Sequence, residues 1–456
     1  METREASEQD VTAPGADPGQ VTGTVEHLFR HEAGRMVAIL TRAFGVEHLG
    51  LAEDVVQETL GRALRTWPYY GIPKNPAAWI MRSARNLALD AVRRQKVFRN
   101  KEPEIIRVLE RSVGAGEEPV AEETIADDRL RLMFVCCHPR IPLEAQAALA
   151  LKTLCGFGVT EIARAFLTTE VAVAKRLTRA RQWIREAGIP FEIPEGEALG
   201  VRLTGVWRCL YLLYSEGYKA STGDRLVRED LCGEAIRLTG LLAAHSAGDR
   251  PTTHALLALM LLSGARSATR TDEAGELLAL RDQDRTRWDR GMIARGMYHL
   301  ARSGSGGEAG EYHLQAGIAA CHAVAVTYEA TDWRRVLELY DRLLVLDDSP
   351  IVALNRAVAV GEVEGPGGGI EAVHRIRDRA RLESYHLFHA VLGEFEARRG
   401  EREAASGHFR RAIALAPVPT ERRFLERRAL ACEAGDGLRL DGRGEGPGRG
   451  ASRSCG

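Results

Sequence analysis

Asn75-Pro76-Ala77-Ala78-Trp79-Ile80-Met81-Arg82-Ser83-Ala84-Arg85-Asn86-Leu87-Ala88-Leu89-Asp90-Ala91-Val92-Arg93-Arg94 decides how this 456-residue chain folds. Asn is a favoured N-cap, and Pro is welcome at the first helical position, where its missing N–H costs nothing, so a helix starts at Asn75-Pro76 and runs through Arg94. Its buried stripe is expected to be Ile80, Ala84, Leu87 and Ala91. Trp79, Arg82, Asn86, Asp90 and Arg93 then share another side, where an aromatic ring and two cations can meet backbone phosphate and an unstacked base. A tryptophan that only covers a small helical core fits the same spacing.

The three- and four-residue apolar period of this stretch recurs almost throughout, and strand signals are nearly absent. The expected fold class is therefore all-α. With 62 Lys+Arg against 63 Asp+Glu and 45% hydrophobic residues, the composition fits a globular protein of two to four domains. The longest apolar run, Ala255 to Leu262, falls far short of the roughly 18 residues that cross a bilayer. Met1 to Gln20 has neither a basic start nor an apolar core, so residues 1–20 are expected to be a disordered leader and the chain cytoplasmic. Eight cysteines without a repeated spacing indicate buried thiols in a reducing compartment.

Near-zero net charge conceals segregation. Met81 to Lys101 holds seven basic residues and one acid, and Val171 to Arg185 holds five basic residues and none acidic. Between them, Glu102 to Arg129 carries nine acids and three bases together with Gly114, Gly116 and Pro119, and is expected to be a solvated linker over 102–129. Polyanion binding needs locally clustered cations, not a high overall pI, so nucleic acid stays a candidate partner. The expected blocks are 21–101, 130–188 and, after Pro190 and Pro194, 189–432, followed by a Gly/Arg-rich disordered tail over 433–456.

In the first block Ala52, Val55, Val56, Thr59, Leu60, Ala63 and Leu64 form an apolar stripe, with Asp54, Gln57 and Glu58 off it. The like charges of Asp54 and Glu58 invite a cationic partner, unless Arg62 already compensates Glu58. In the second block Val159 to Phe166 reads as a short helix, Leu167-Thr168-Thr169 as a turn, and Glu170 to Arg185 as a longer helix burying Val173, Leu177, Ala180 and Ile184. This is helix-turn-helix spacing, with Lys175, Arg176, Arg179 and Arg181 expected to be exposed on the second helix.

Taken in this order and at this separation, the two blocks resemble bacterial sigma factors of the sigma-70 family, of the two-domain extracytoplasmic-function type. Ala52-Glu53-Asp54-Val55-Val56-Gln57-Glu58-Thr59-Leu60 resembles region 2.2. The resemblance implies that Asp54, Gln57 and Glu58 meet the β′ clamp of core RNA polymerase. The Asn75-to-Arg94 stretch resembles regions 2.3 and 2.4, implying that Trp79, Arg82, Arg85, Asn86, Asp90, Arg93 and Arg94 melt and read the −10 element. Glu161 to Phe166 with Val173 and Arg176 to Arg181 resembles region 4.2. That match implies −35 contacts from Thr169, Glu170, Ala172, Lys175, Arg176 and Arg179, and the β flap as a second polymerase partner.

Beyond Gly188, stretches such as Tyr211 to Ala220, Arg228 to Leu238 and Leu354 to Val360 resemble the subgroup with a long helical C-terminal extension. Leu392-Gly393, Ala405, Phe409, Ala412 and Pro417 fall at the offsets of a tetratricopeptide repeat, and Ile376 and Tyr340 precede Phe409 by 33 and 69 residues. Repeats from about 331 onward would stack, with Gly365-Pro366-Gly367-Gly368-Gly369 as a loop between helices, and offer a groove to a protein or peptide partner. A scaffold that only packs on the preceding domains is the alternative.

No enzyme motif stands in a suitable context, and no cofactor or metal is expected. Cys136-Cys137-His138 points three ligand types in different directions, and His386 and His389 lack an accompanying carboxylate motif. Glu216-Gly217-Tyr218 reads as a helix end with a Gly cap. The expected function is promoter recognition within RNA polymerase, regulated in cis by the extension, with no catalysis by the chain itself. A one-component helix-turn-helix activator with a repeat sensor domain is the rival reading.

Overall fold

The computed structural model describes residues 18–94, 102–113, 122–166, 168–218, 229–305 and 309–433. The expected leader over 1–17 and tail over 434–456 lie outside the described residues; Pro18 to Gln20 already open a helix. The described residues are all-α, with an isolated bridge between Thr271 and Leu277. They fall into two compact units, one made of the described residues up to Thr253 and one of those from His254 onward.

The first unit is built around α1 (Pro18–Phe44), on which α2 (Leu49–Tyr70), α3 (Pro76–Arg94), α4 (Glu102–Val113) and α5 (Glu122–Cys136) pack. Met36 to Leu40 are buried without interruption, as befits a helix covered on several sides. α2 buries Ala52, Val55, Val56, Thr59, Leu60, Ala63 and Trp67. α3 starts as expected, the Asn75 side chain accepting a hydrogen bond from Ala78 N at 3.1 Å. Its buried stripe is Ile80, Ala84, Leu87, Ala88 and Val92, with Ala91 only half-buried.

The acidic stretch expected as a linker over 102–129 instead carries α4 and the first half of α5. Ile105 and Leu109, four apart, are buried, so one apolar stripe anchors α4 despite the surrounding charge. α5 leads into α6 (Leu143–Thr153), α7 (Val159–Ala165) and α8 (Glu170–Ala187). The boundary expected at 188 is not a boundary of the compact unit. α9 (Gly196–Tyr218) packs on α5 and α6, and α10 (Glu229–Ala244) packs on α9. Gly217 is no helix cap: it lies within α9, where a Cβ would come within 2.9 Å of Cys232 Sγ, so it lets α9 and α10 approach closely.

The second unit contains most of α11 (Pro251–Gly264), then α12 (Arg290–Ser303), α13 (Glu311–Val324), α14 (Trp333–Leu346), α15 (Pro350–Val363), α16 (Pro366–His374), α17 (His386–Arg399), α18 (Arg402–Leu415) and α19 (Pro419–Glu433). From α13 onward each helix packs on the next, around three successive apolar clusters centred on Leu339, Phe395 and Phe409. Ala405, Phe409 and Ala412 are buried between α17 and α18, with the Phe409 ring against Gly393. Ile376, expected at the place equivalent to Phe409, instead lies past the end of the nine-residue α16. Gly367 to Gly369, expected as loop, are part of α16: a Cβ on Gly369 would come within 2.5 Å of the Phe395 ring, so the glycine is required by packing.

Candidate nucleic-acid interface

Two helices carry the candidate contacts. On α3, Arg82, Asn86, Asp90, Arg93 and Arg94 are exposed and Arg85 is half-buried. Arg94 Nε donates to Asp90 O at 3.0 Å. Trp79 is half-buried and meets Trp67 edge-on, with ring centroids 5.4 Å apart. That contact fixes the ring at the start of α3 and leaves part of it accessible, so the tryptophan both covers core and borders the exposed basic side.

α8 follows the short α7 with helix-turn-helix spacing. Thr169 is its N-cap, its hydroxyl accepting from Ala172 N at 3.2 Å, and Glu170 is the acid of the first turn, where the helix dipole favours it. Val173, Leu177, Ala180 and Ile184 are buried, and Lys175, Arg179 and Arg185 are exposed. Ala172 is half-buried. The uniform exposure expected for the α8 cations does not hold. Arg176 Nη2 pairs with Glu144 at 2.7 Å, and Arg181 Nη2 lies 2.5 Å from Glu53 Oε2, so both arginines are held by carboxylates of neighbouring helices.

A third surface lies on α2, where Asp54, Gln57 and Glu58 are exposed side by side. Glu58 is already engaged by Arg65 at 2.8 Å and Arg62 at 3.5 Å, both in the open, where such pairs contribute little. Below α8, burial and the nearby Arg202 and Arg140 push the His138 pKa down to about 4, so its imidazole is neutral at pH 7 and packs against Trp183. Cys136 Sγ meets Thr153 Oγ1 at 3.1 Å.

Sequence reasoning passed over Glu53 and Asp128. Glu53 is 4% exposed and Asp128 1% exposed, each an acid inside the core of the first unit. For Glu53 the signal was present: it precedes the buried Val56, Leu60 and Ala63 at spacings of three, four and three. Asp128 has a local partner, Arg131 three residues on, but another partner, Arg42, is 86 residues away.

Comparison with known proteins attaches families to these elements. Residues 28–97 match sigma-70 region 2, residues 131–184 match sigma-70 region 4, and residues 202–304 match a family of unknown function, DUF6596. An uncharacterised protein of Rhizobium meliloti, R00370, is 38% identical over 405 residues, covering 89% of this chain and 95% of the relative. The extracytoplasmic-function sigma factor SigE of Mycolicibacterium smegmatis is 30% identical over 162 residues, 35% of this chain and 60% of that relative. No solved structure matches the chain.

Proposed function

We propose that this chain, which belongs to one family with the Rhizobium protein over nearly its whole length and carries matches to sigma-70 regions 2 and 4, is an extracytoplasmic-function-type sigma factor whose extension controls it in cis. The observation that carries this reading is the pairing of two exposed basic helix faces with the two matched domains: Arg82, Arg93 and Arg94 on α3 within region 2, and Lys175 and Arg179 on α8 within region 4. Among the described residues no helix is long and apolar enough to cross a membrane.

In this mechanism α3 meets the −10 element. Arg82, Arg85, Arg93 and Arg94 neutralise phosphates, and the accessible part of Trp79 takes up the stacking energy of a base displaced into the space bounded by Asn86 and Asp90. Unstacking costs a few kcal/mol, which stacking on an aromatic side chain largely offsets, so melting and recognition draw on the same contacts. α8 enters the −35 major groove by its N-terminal half. Thr169, Glu170 and Ala172 approach base edges, while Lys175 and Arg179 hold phosphates. Arg176 reaches DNA only by giving up Glu144. Asp54, Gln57 and Glu58 provide the acidic side for the β′ clamp, and region 4 meets the β flap. The chain itself performs no bond chemistry.

The tetratricopeptide-like helices of the second unit serve as a partner surface. Their support is a cavity of about 290 Å³ lined by Leu344, Pro350, Ala353, Arg356 and Glu371, with Val345, Leu346 and Ile351 exposed nearby on α14 and α15. Transcription in vitro with purified bacterial core polymerase on a library of upstream regions tests the proposal. Initiation at discrete sites that depends on the added chain supports it. Binding to DNA without any effect on core polymerase would replace it with the one-component activator.

A further inference from the structure

Between α11 and α12, residues 265–289 form no α-helix, although they lie among packed helices and within the stretch that matches the family of unknown function. So long an irregular connection inside a compact unit calls for a task. Its tip is a tight hairpin. Asp272 Oδ1 accepts from Ala274 N at 2.9 Å and from Glu276 N at 2.8 Å, Leu278 N donates to Arg270 O at 2.9 Å, and Gly275 supplies the positive φ of 79°. Past the tip, side chains reach a series of helices. Both oxygens of Glu276 are taken by α19, Oε1 by Arg423 Nε at 2.7 Å and Oε2 by Arg427 Nη1 at 2.6 Å, while Arg427 Nη2 donates to Leu277 O at 3.0 Å. Five residues on, the Arg281 guanidinium lies 4.7 Å from the centre of the Tyr328 ring and 3.8 Å from Glu362 of α15, a carboxylate it shares with Arg398 of α17. Arg285 then donates to His322 O at 2.7 Å and Ala325 O at 3.0 Å, at the end of α13.

α13, α15, α17 and α19 alternate along the array, and alternate helices of stacked helical hairpins line one common face, the side on which such arrays bind partners. The segment lies on that face as a bound peptide does, held by an acid at α19 and a base at α15. The cavity between α14, α15 and α16 is elsewhere: Val360 and Glu364 line it, and Glu362, two residues from each, is about 200° round α15 from both. The hold is of a reversible kind. None of residues 270–285 belongs to the apolar clusters centred on Leu339, Phe395 and Phe409, so the array keeps its core without them. Leu277, Leu278 and Leu280 are only half-buried, and the Arg423 and Arg427 side chains are 50% and 47% exposed, where single ion pairs contribute little. Thr269 before the segment and Arg285 and Trp288 after it are buried and anchor its two ends.

We propose that the face formed by α13, α15, α17 and α19 is a peptide-binding groove occupied in cis by Arg270–Asp282, and that its partner is an extended protein segment presenting a carboxylate and, five residues on, a guanidinium, which displaces the resident one. Arg423 and Arg427, four apart on one face of α19, are the carboxylate receptor. Tyr328 and Glu362 are the cation receptor, an aromatic face and a carboxylate together. A tethered occupant acts at an effective concentration on the order of millimolar, so only a segment matching both charges at that spacing competes with it. The stretch of unknown function thereby acquires a task, to keep the groove selective. This goes beyond the promoter reading and depends on neither polymerase nor DNA.

The test is fluorescence anisotropy of a labelled synthetic peptide with the sequence Arg270 to Asp282, added to the full chain in three forms. These are wild type, Glu276→Ala with Arg281→Ala, which loosens the resident segment and leaves the groove intact, and the loosened form with Arg423→Glu and Arg427→Glu added. Far-UV circular dichroism confirms retained helix in each. The loosened form is expected to bind the peptide about tenfold or more tightly than wild type, where the resident segment competes. Reversing the two α19 charges should lower that affinity about tenfold or more, and a peptide carrying Glu276→Lys should recover most of the loss. Hydrogen–deuterium exchange of the wild-type chain supplies a reading without substitutions: the hydrogen-bonded amides of Asp272, Glu276 and Leu278 should exchange about tenfold or more faster than the amides of α15 and α17. A loosened form that binds the peptide no better than wild type, or binding indifferent to the charges on α19, overturns the groove. Amides of the segment that exchange as slowly as those of α15 and α17 make it a fixed part of the fold and overturn its displacement.

Discussion

Burial pushes the Glu53 carboxyl up to about 7, opposed by Arg181 and Lys152 and reinforced by Asp54. The raised value sets the direction of a pH dependence. Below about 4.5 the group is protonated whether the chain is folded or not, and its contribution is complete. As pH climbs from there to about 7 the unfolded chain ionises first, so the folded state loses stability by an amount on the order of 3 kcal/mol at most, and the curve flattens above. Glu53→Gln is expected to erase this slope: urea titrations at pH 5 to 8 should show the variant gaining on the wild type as pH rises, and parallel curves would refute it. Other residues of the interface separate by their partners. Lys175 and Arg179 are exposed, so Lys175→Gln and Arg179→Gln should each lower the salt slope of duplex affinity by about 1, uniformly across sequences. Arg176→Gln should change that slope less and cost up to about 1 kcal/mol of stability through the lost Glu144 pair, as thermal melting would show. A full unit of slope at Arg176 would mean that the pair breaks on DNA.

Elements were legible in the sequence where local chemistry and period agree. Asn75-Pro76 starts α3 and Thr169 starts α8 because the cap is a matter of neighbouring residues, and the buried stripe of α8 follows the expected spacing residue for residue. The exposed basic side of α3 and the exposed Asp54, Gln57 and Glu58 were legible for the same reason. Where composition and packing conflict, packing prevailed. The nine acids of the 102–129 stretch hid the Ile105/Leu109 stripe of α4, and Gly367 to Gly369 read as a loop because the reason for glycine there is the ring of Phe395, beyond any local pattern. Gly369→Ala therefore carries opposed effects: about 1 kcal/mol gained in helix propensity against about 1–3 kcal/mol lost by overpacking, and the loss should win. Gly407, exposed on α18 with open space around its would-be Cβ, is the control, and Gly407→Ala should stabilise by about 0.5–1 kcal/mol. Both are read from urea midpoints of the full chain. Stabilisation at both glycines would show that Phe395 can move aside.

At the scale of the whole molecule, a sigma module ending at Gly188 looks separable in the sequence, and the packing says otherwise. Leu130 and Leu132 to Cys137 are all buried, as are Ala145 to Leu151, runs with no solvent side that a small four-helix domain could not cover alone. The cover comes from α9, which buries Leu203, Val206, Cys209, Leu210 and Leu213 and brings Gly205 within 2.9 Å, for an added Cβ, of the Cys137 carbonyl. Removing α9 forfeits burial on both partners at about 1.5–3 kcal/mol per large apolar side chain, and Leu203, Val206, Leu210 and Leu213 on α9 alone are comparable with a typical domain stability of about 5–15 kcal/mol. A fragment of residues 1–188 should therefore lack a cooperative thermal transition, whereas a fragment ending at Thr253 keeps α9, α10 and the Trp207–Thr253 hydrogen bond of 2.9 Å and should melt cooperatively. Calorimetry of the two fragments decides the matter. If residues 1–188 melt as sharply as 1–253, the head of the extension is a removable cap, and loss of transcription by the shorter fragment can be assigned to regulation. If only 1–253 folds, the chain has absorbed the start of its extension into its promoter-reading unit, and any in cis control by the remaining helices has to be measured against 1–253 as the baseline.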